Sequence, residues 1–154
     1  MWEYTGRARR GYFAAGLSGI QFIREEDYGA VLAGLNAGDG EPVWLHANDP
    51  NQAWGNLLPH ETGRSFLCVP GTAVCLLDGS VAALLERGGE TLRLFAPELA
   101  AQCLAALARD FLRRNLYAGS GRLVLRHGAE GFEAALERAG FVREALDWVL
   151  WREG

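Results

Sequence analysis

The stretch SFLCVPGTAVCLLDGSVAALLERGGETLRLF, residues 65–95, decides the fold. Its apolar runs are interrupted at Pro70-Gly71, Asp78-Gly79 and Gly88-Gly89, and dipeptides of this kind are typical of tight turns. Because turns at such short intervals join antiparallel neighbours, the stretch predicts a β-meander. Its two middle runs are apolar on both faces, which indicates strands that close into a barrel or are covered by helices. The predicted strands cover residues 66–69, 73–77, 81–86 and 91–95.

Upstream of the meander, the sequence predicts short strands and one helix. Between residues 9 and 23, aromatic and β-branched residues are punctuated by glycine, which suits bent strands better than a helix. Acids at 25–27 then precede an i, i+3, i+4, i+7 apolar stripe over 28–35. This pattern predicts a helix that Gly38-Asp39-Gly40 ends. A further strand is predicted at 43–46.

Downstream, the pattern predicts alternating helices and strands. Pro97 suits the first position of a long helix through residue 116, and Gly140 suits the end of a helix over 130–139. Strands are predicted at 122–126 and 148–151. The fold class is therefore α+β, an antiparallel β-meander or partly closed barrel packed against two or three helices. No repeat or linker divides the chain, so residues 1–154 are expected to form a single domain.

Composition excludes several classes of protein. The formal net charge is −4, so any binding of nucleic acid must come from a local patch rather than from an overall basic surface. All basic residues apart from the histidines are arginines, which pair well with phosphates and stack on bases. No apolar run approaches the roughly 20 residues of a membrane helix, and we expect a cytoplasmic protein without membrane contact.

The best candidate patch for nucleic acid lies near the start of the chain. Arg7, Arg9 and Arg10 precede Tyr12 and Phe13, so guanidinium groups can hold phosphates while a ring stacks on an unpaired base. Against this interpretation, rings in strands more often belong to the core. Because side chains alternate along a strand, Tyr12 facing outward implies Phe13 facing inward, and only one of them can contact a base.

A polar loop that begins at Asp49-Pro50 is the second candidate site. His46 and Asp49 can be interpreted as a pair that acts on a nucleobase, but turn chemistry favours Asp49 as the acceptor of an Asx-type turn. Trp54, followed by Gly55, either stacks on a base or closes one end of a barrel, and the sequence leaves these two interpretations equally open.

Other chemistry finds little support in the sequence. His46, His60 and His127 lie far apart and no Cys-x-x-Cys pair exists, so we expect neither a metal nor a cofactor. The cysteines, Cys68, Cys75 and Cys103, sit in apolar stretches and are expected to be buried thiols without a catalytic role. No Gly-x-Ser-x-Gly nucleophile motif is present.

Four segments in the same order resemble the Lhr (large helicase-related) family of ATP-dependent helicases. The family patterns are "RRGYF…GL.G.QF", "DP.NPYG..LPW", "L.DG…YLERGG" and "L…AGF". The matching segments are RRGYF (9–13) with GLSGIQF (16–22), DPN (49–51) with WG (54–55) and LP (58–59), LDG (77–79) with LLERGG (84–89), and ALERAGF (135–141).

Three departures from the family pattern fall in the polar loop. Trp54 stands where Tyr is expected, Gln52-Ala53 displaces the Asn-Pro pair, and His60 stands where Trp is usual. They bear on the role of the loop more than on the fold.

The resemblance implies an accessory domain from the C-terminal region of such a helicase, following its motor and winged-helix domains. It implies that the domain binds or guides single-stranded DNA or RNA beside the motor, and the candidate residues for this contact are Arg7, Arg9, Arg10, Tyr12 and Trp54. With no lysine, the chain has no Gly-x-x-x-x-Gly-Lys-Ser/Thr phosphate loop, so alone it is not expected to be an enzyme. The alternatives are a structural cap or protein-interaction domain that touches no nucleic acid and, third, a glycosylase-like enzyme that acts on bases.

Overall fold

The computed structural model describes residues 5–14, 17–35 and 40–152. Over these residues the chain forms three antiparallel sheets and three α-helices, so the α+β prediction is confirmed. The strands are β1 (Ala8–Gly11), β2 (Gln21–Arg24), β3 (Val43–His46), β4 (Ala73–Leu77), β5 (Ser80–Glu86), β6 (Thr91–Leu94), β7 (Arg122–Leu125), β8 (Val142–Glu144) and β9 (Asp147–Trp151). The helices are α1 (Glu25–Leu35), α2 (Ala100–Leu112) and α3 (Glu133–Arg138).

The central sheet has the strand order β3-β4-β5-β6, with each strand antiparallel to its neighbour. The β4–β5 turn consists of Asp78 and Gly79, whose φ values are 48° and 83°. Two central residues with positive φ define the type I′ turn that Asp-Gly favours and whose twist matches a hairpin. The meander and its continuity with the strand at Val43–His46 are thus confirmed.

Both faces of the central sheet are covered, which explains the doubly apolar middle strands. On one face, α2 packs Cys103, Leu107 and Phe111 into the main core, and the Trp44 indole donates a hydrogen bond to the Cys103 carbonyl at 2.9 Å. On the other face, the loop after β3 packs Phe66 against Val74, Val81 and Leu84. The described strands cover the core in layers and do not close into a barrel.

Several predicted boundaries were wrong. The stretch Phe66–Val69 is irregular instead of a strand, because it serves as a cover on the sheet and only Phe66 is buried. Pro97–Leu99 forms a 3₁₀ turn, and α2 ends at Leu112 instead of residue 116. Strand β8 was not predicted. Of the predicted helix stop at 38–40, Gly38 and Asp39 lie outside the described residues.

The C-terminal sheet, in the order β7-β9-β8, is tied to α2 by Arg152. The Arg152 guanidinium lies 4.1 Å from the centroid of the Phe111 ring and donates hydrogen bonds to carbonyls at and beyond the end of α2. The acceptors are the carbonyls of Phe111, Leu116, Tyr117, Ala118 and Ser120. A cation among the last carbonyls of a helix stabilises that helix end.

Candidate nucleic-acid interface

The predicted arginine patch lies on a small N-terminal module, residues 5–14 and 17–35. Here β1 pairs with β2 in the register Ala8↔Arg24 and Arg10↔Phe22, and α1 follows directly. The apolar stripe predicted for α1 is present in the helix, but no residue of α1 is buried. The module therefore presents both its charged and its apolar side chains at the surface.

Arg9 is the most constrained member of the patch. Its Nε and Nη2 atoms donate to the two carboxylate oxygens of Glu25 at 3.0 and 2.5 Å, and its guanidinium lies 4.0 Å from the Tyr28 ring centroid. The hydrogen bonds from Arg9 hold the pKa of Glu25 below its ordinary value and raise the pKa of Arg9. Glu25 thus neutralises the positive charge of Arg9. Arg9 can bind a phosphate only if its ion pair with Glu25 breaks.

Arg7 lines a cleft of about 540 Å³ beside the start of α1. The cleft also contains Arg24, Glu25 and Glu26, and Arg24 makes ion pairs with Glu26 at 2.8 Å and Asp27 at 2.7 Å. Arginines and acids therefore alternate around this cleft. Arg10 is exposed on β1, opposite Phe22.

Tyr12 and Phe13 follow the end of β1 and are both exposed, to different degrees. Tyr12 is 80% exposed, whereas Phe13 is 38% exposed and makes an edge-to-face contact with Tyr28 at 6.3 Å. The Gln21 amide fixes this segment by accepting the Phe13 and Ala14 backbone N–H groups, each at 2.7 Å. Tyr12 is consequently the ring of this pair that can stack on a base.

The polar loop is built around an Asx turn. Asp49 Oδ1 accepts the Asn51 backbone N–H at 2.8 Å, as turn chemistry predicts, and exposed Pro50 lies within this turn. The Asp49 N–H also donates to the His46 carbonyl at 2.9 Å. The Asp49 carboxylate therefore forms a hydrogen bond with the backbone of its own loop.

Trp54 lies away from the arginine patch. Its indole N–H donates to the Gly79 carbonyl at 3.0 Å, and its ring packs against the second cluster of the core, which contains Val74 and Val81. Gly79 also lines a cleft with Leu35 at the far end of α1. An eleven-residue helix is about 16 Å long. The structure therefore separates Trp54 from the arginines and packs its ring on the sheet, and the described strands form no barrel for Trp54 to close.

A polar cleft of about 320 Å³ brings together residues that no local motif connects. It is lined by His46 at the end of β3, Asp49 from the polar loop, Asp110 from α2 and Asn115 from the turn after α2. Asp110 is 6% exposed and makes an ion pair with Arg109 at 3.3 Å. The His46 ring makes an edge contact at 5.3 Å with the ring of Tyr117, whose pKa burial raises to about 12.

Sequence reasoning missed the contribution of α2 to this cleft. An acid at the buried end of an amphipathic helix was the available signal, but nothing local to Asp110 or Asn115 points to His46. Among residues 5–14, 17–35 and 40–152, no group of three or more His, Cys, Asp and Glu side chains could hold a metal ion.

Comparison with known proteins gives two long relatives. The "Lhr helicase/uracil glycosylase" of Escherichia coli is 31% identical in a match of length 163 that includes 95% of this chain and 10% of that protein. The "Lhr helicase/ probable uracil glycosylase" of Mycolicibacterium smegmatis is 34% identical in a match of length 116 that includes 68% of this chain and 7% of that protein. No family model matches the chain.

The chain belongs to the Lhr helicase family. It spans a tenth or less of the length of these relatives, and the match fits the C-terminal domain that the sequence resemblance implied. No helix in the described part of this Lhr-related chain is long and apolar enough to cross a membrane.

The residues at which this chain differs from the Lhr loop pattern lie close together in the structure. The Gln52 amide is buried and donates to the carbonyls of Ala47 at 3.1 Å and Trp54 at 2.8 Å. The His60 ring packs edge-on against Phe66 at 4.7 Å. Gly55 lies between them with φ +76°, and a Cβ there would collide with His60. The residues that depart from the pattern therefore surround Gly55 together.

Proposed function

We propose that this chain is an accessory domain of an Lhr-type helicase and that its N-terminal module contacts single-stranded DNA or RNA beside the motor. The observation that carries the proposal is Tyr12, which is 80% exposed and directly follows β1, the strand that bears Arg9 and Arg10. An exposed ring beside guanidinium groups is the combination that stacks an unpaired base while its phosphates are neutralised. The motor and winged-helix domains of the parent protein are the proposed neighbours.

Electrostatics makes the proposed contact weak. The net charge of −4 repels a polyanion, and Arg9 and Arg24 already pair with acids of α1. Binding by the isolated chain is then expected to be weak, with tighter binding left to the parent helicase.

The test is a titration of a fluorescently labelled single-stranded oligonucleotide with the chain at low salt, repeated for Tyr12→Ala and for the control Trp151→Ala, which removes a half-exposed ring from the C-terminal sheet. We expect weak binding that Tyr12→Ala reduces and Trp151→Ala leaves unchanged. Equal isotherms for the two variants, or no binding at all, would contradict the proposal.

A purely structural role is the second candidate, and α1 supports it. Val31, Leu32 and Leu35 are 42%, 44% and 72% exposed, so the helix carries apolar surface of the kind that marks contacts with another protein surface. On this alternative, the module packs on a neighbouring domain of the parent and no oligonucleotide binds.

A base-acting enzyme is the third candidate. The names of both relatives include a uracil glycosylase, and the cleft of His46 and Asp110 combines an imidazole with a buried carboxylate. Against this candidate, the Arg109 guanidinium lies on the Asp110 carboxylate. Release of uracil from a uracil-containing oligonucleotide, lost in Asp110→Asn, would favour this candidate over the first two.

A further inference from the structure

The hairpin of β1 and β2 has two different faces, because directly opposite residues of an antiparallel pair point to the same side. Arg9 and Ile23 are opposite each other and share one face. Helix α1 covers this face, where the Arg9 guanidinium lies over the Tyr28 ring and Ile23 is partly buried. The second face, which we call the open face, is formed by Ala8, Arg10, Phe22 and Arg24.

The open face brings a second exposed ring into the neighbourhood of Tyr12. Phe22 is 60% exposed and Tyr12 is 80% exposed. Arg10 lies directly opposite Phe22, with about 5 Å between their Cα atoms, and Tyr12 is two residues farther along the chain, at most about 7 Å from Arg10. The two ring-bearing residues therefore lie within about 12 Å of each other, so both rings can serve one short stretch of a bound strand.

The charges around the rings favour a polyanion as the occupant of the open face. Strands β1 and β2 together contain three arginines and no acid, and the acids that pair with Arg9 and Arg24 belong to α1. The open face therefore combines an aromatic ring with guanidinium groups and has no carboxylate among its four residues. The apolar stripe of α1 is different, because that helix contains acids and no arginine and is suited to a protein neighbour.

Unpaired bases are recognised by stacking on exposed rings, and sheets that bind single-stranded RNA present aromatic side chains to two or three bases. We propose that Phe22 is a second base-stacking residue and that the module takes two adjacent unpaired bases of one single strand, one on Tyr12 and one on Phe22. This inference rests on the proposed function and adds the size of the site to it. Local patterns did not point to Phe22, because it meets Arg10 only through the register of the two strands.

The test uses single-stranded DNA in which the number of bases is the only variable. Three fluorescently labelled strands of equal length and charge are titrated with the full chain at low salt. One strand has abasic sites throughout, one carries a single thymine in the middle and one carries two adjacent thymines. With the unaltered chain, each added base should raise the affinity at least about fivefold, the lower end of what one stacked base contributes.

Replacement of Phe22 should affect only the second of these two gains. With Phe22→Ala, the first thymine should still raise the affinity because Tyr12 remains, and the second thymine should add nothing. Phe22→Leu keeps apolar bulk without an aromatic face and should behave like Phe22→Ala. Phe22→Tyr is the matched control, since it keeps the ring and should retain both gains. The salt dependence should be the same for all three variants, because the ring carries no charge.

The outcomes separate the role of Phe22 from the proposed function. Two results would overturn the role of Phe22 and leave that of Tyr12 intact: no gain from the second thymine with the unaltered chain, or an equal gain with Phe22→Ala. The open face would then be assigned to contact with a neighbouring protein domain. No binding of any strand, or no gain from the first thymine, would contradict the proposed function as well. Thermal unfolding of each variant shows that it is folded during the titration.

Discussion

The Arg9 guanidinium donates two hydrogen bonds to the Glu25 carboxylate and lies over the Tyr28 ring. A cation on β1 is thus paired with an acid on α1. Both side chains remain close to half exposed. The pair links β1 to the start of α1, where the Glu25 backbone N–H also donates to the Arg7 carbonyl at 3.0 Å. Glu25 therefore competes with any phosphate that approaches Arg9.

Glu25→Gln should strengthen binding of single-stranded oligonucleotide. The substitution removes the charge that neutralises Arg9 and adds one cation to the patch, so the salt dependence should steepen by about 0.7 in log–log slope. The measurement is a titration at several salt concentrations. Glu137→Gln, another exposed helix glutamate, is the control. If both variants behave alike, Arg9 does not contact the nucleic acid.

Acid should remove the stabilisation that the Arg9–Glu25 pair provides. Because the pKa of Glu25 is lowered in the folded chain, its contribution is present above the unfolded-state pKa and is lost as pH falls through the lowered value. The difference in melting temperature between the unaltered chain and Glu25→Gln should therefore shrink as pH falls below about 4. A difference that stays constant between neutral and acid pH would show that the pair contributes nothing.

The sequence predicted correctly those elements whose conformation is set by residues close together in the chain. Asp78-Gly79 predicted its turn correctly because both residues adopt the positive φ that this turn requires. The stretch Phe66–Val69 has strand propensity but no partner strand, and tertiary packing overrode the propensity. The amphipathic period of α1 was read correctly, yet periodicity does not tell what covers the stripe, and no residue of α1 is buried.

The candidate sites were less predictable because they are assembled from distant positions. Asx-turn chemistry is local and placed Asp49 correctly, whereas Asp110 meets His46 only because α2 packs beside β3. In the same way, the ion pair of Arg9 depends on the register of β1 and β2, which no residue near Arg9 encodes.

The purified chain should not hydrolyse ATP, with or without DNA. Phosphate-loop chemistry needs a lysine that reaches the β- and γ-phosphates, and the chain contains no lysine. A coupled assay of ADP release, with an unrelated domain purified in parallel as the control, measures this. DNA-stimulated turnover that follows the chain through a further purification step would contradict the prediction.

Replacing Arg7, Arg9 and Arg10 together by Ala should weaken oligonucleotide binding and lower its salt dependence, because each phosphate contact releases counterions. Tyr12→Ala should act differently. It should remove about 1–3 kcal/mol of stacking and leave the salt slope nearly unchanged. Titrations at several salt concentrations separate the two effects, and identical isotherms for the triple variant and the unaltered chain would favour the structural cap.

Trp54→Ala should lower stability more than it lowers binding. Its indole packs on the core cluster of Val74 and Val81 and donates to the Gly79 carbonyl, so truncation leaves a cavity and removes that hydrogen bond. Trp54 is only partly buried, so the expected loss is roughly 2–3 kcal/mol, below the 3–5 kcal/mol of a fully buried ring.

Trp54→Phe provides the comparison, because it keeps a smaller aromatic ring and removes the N–H donor together with the five-membered part of the indole. It should cost about 1–2 kcal/mol, less than Trp54→Ala. Urea unfolding of the three proteins, combined with oligonucleotide titration under conditions where each is folded, separates the two roles of the ring. If Trp54→Ala weakens binding by about 1–3 kcal/mol while unfolding at the same urea concentration as the unaltered chain, Trp54 stacks on a base and does not stabilise the sheet.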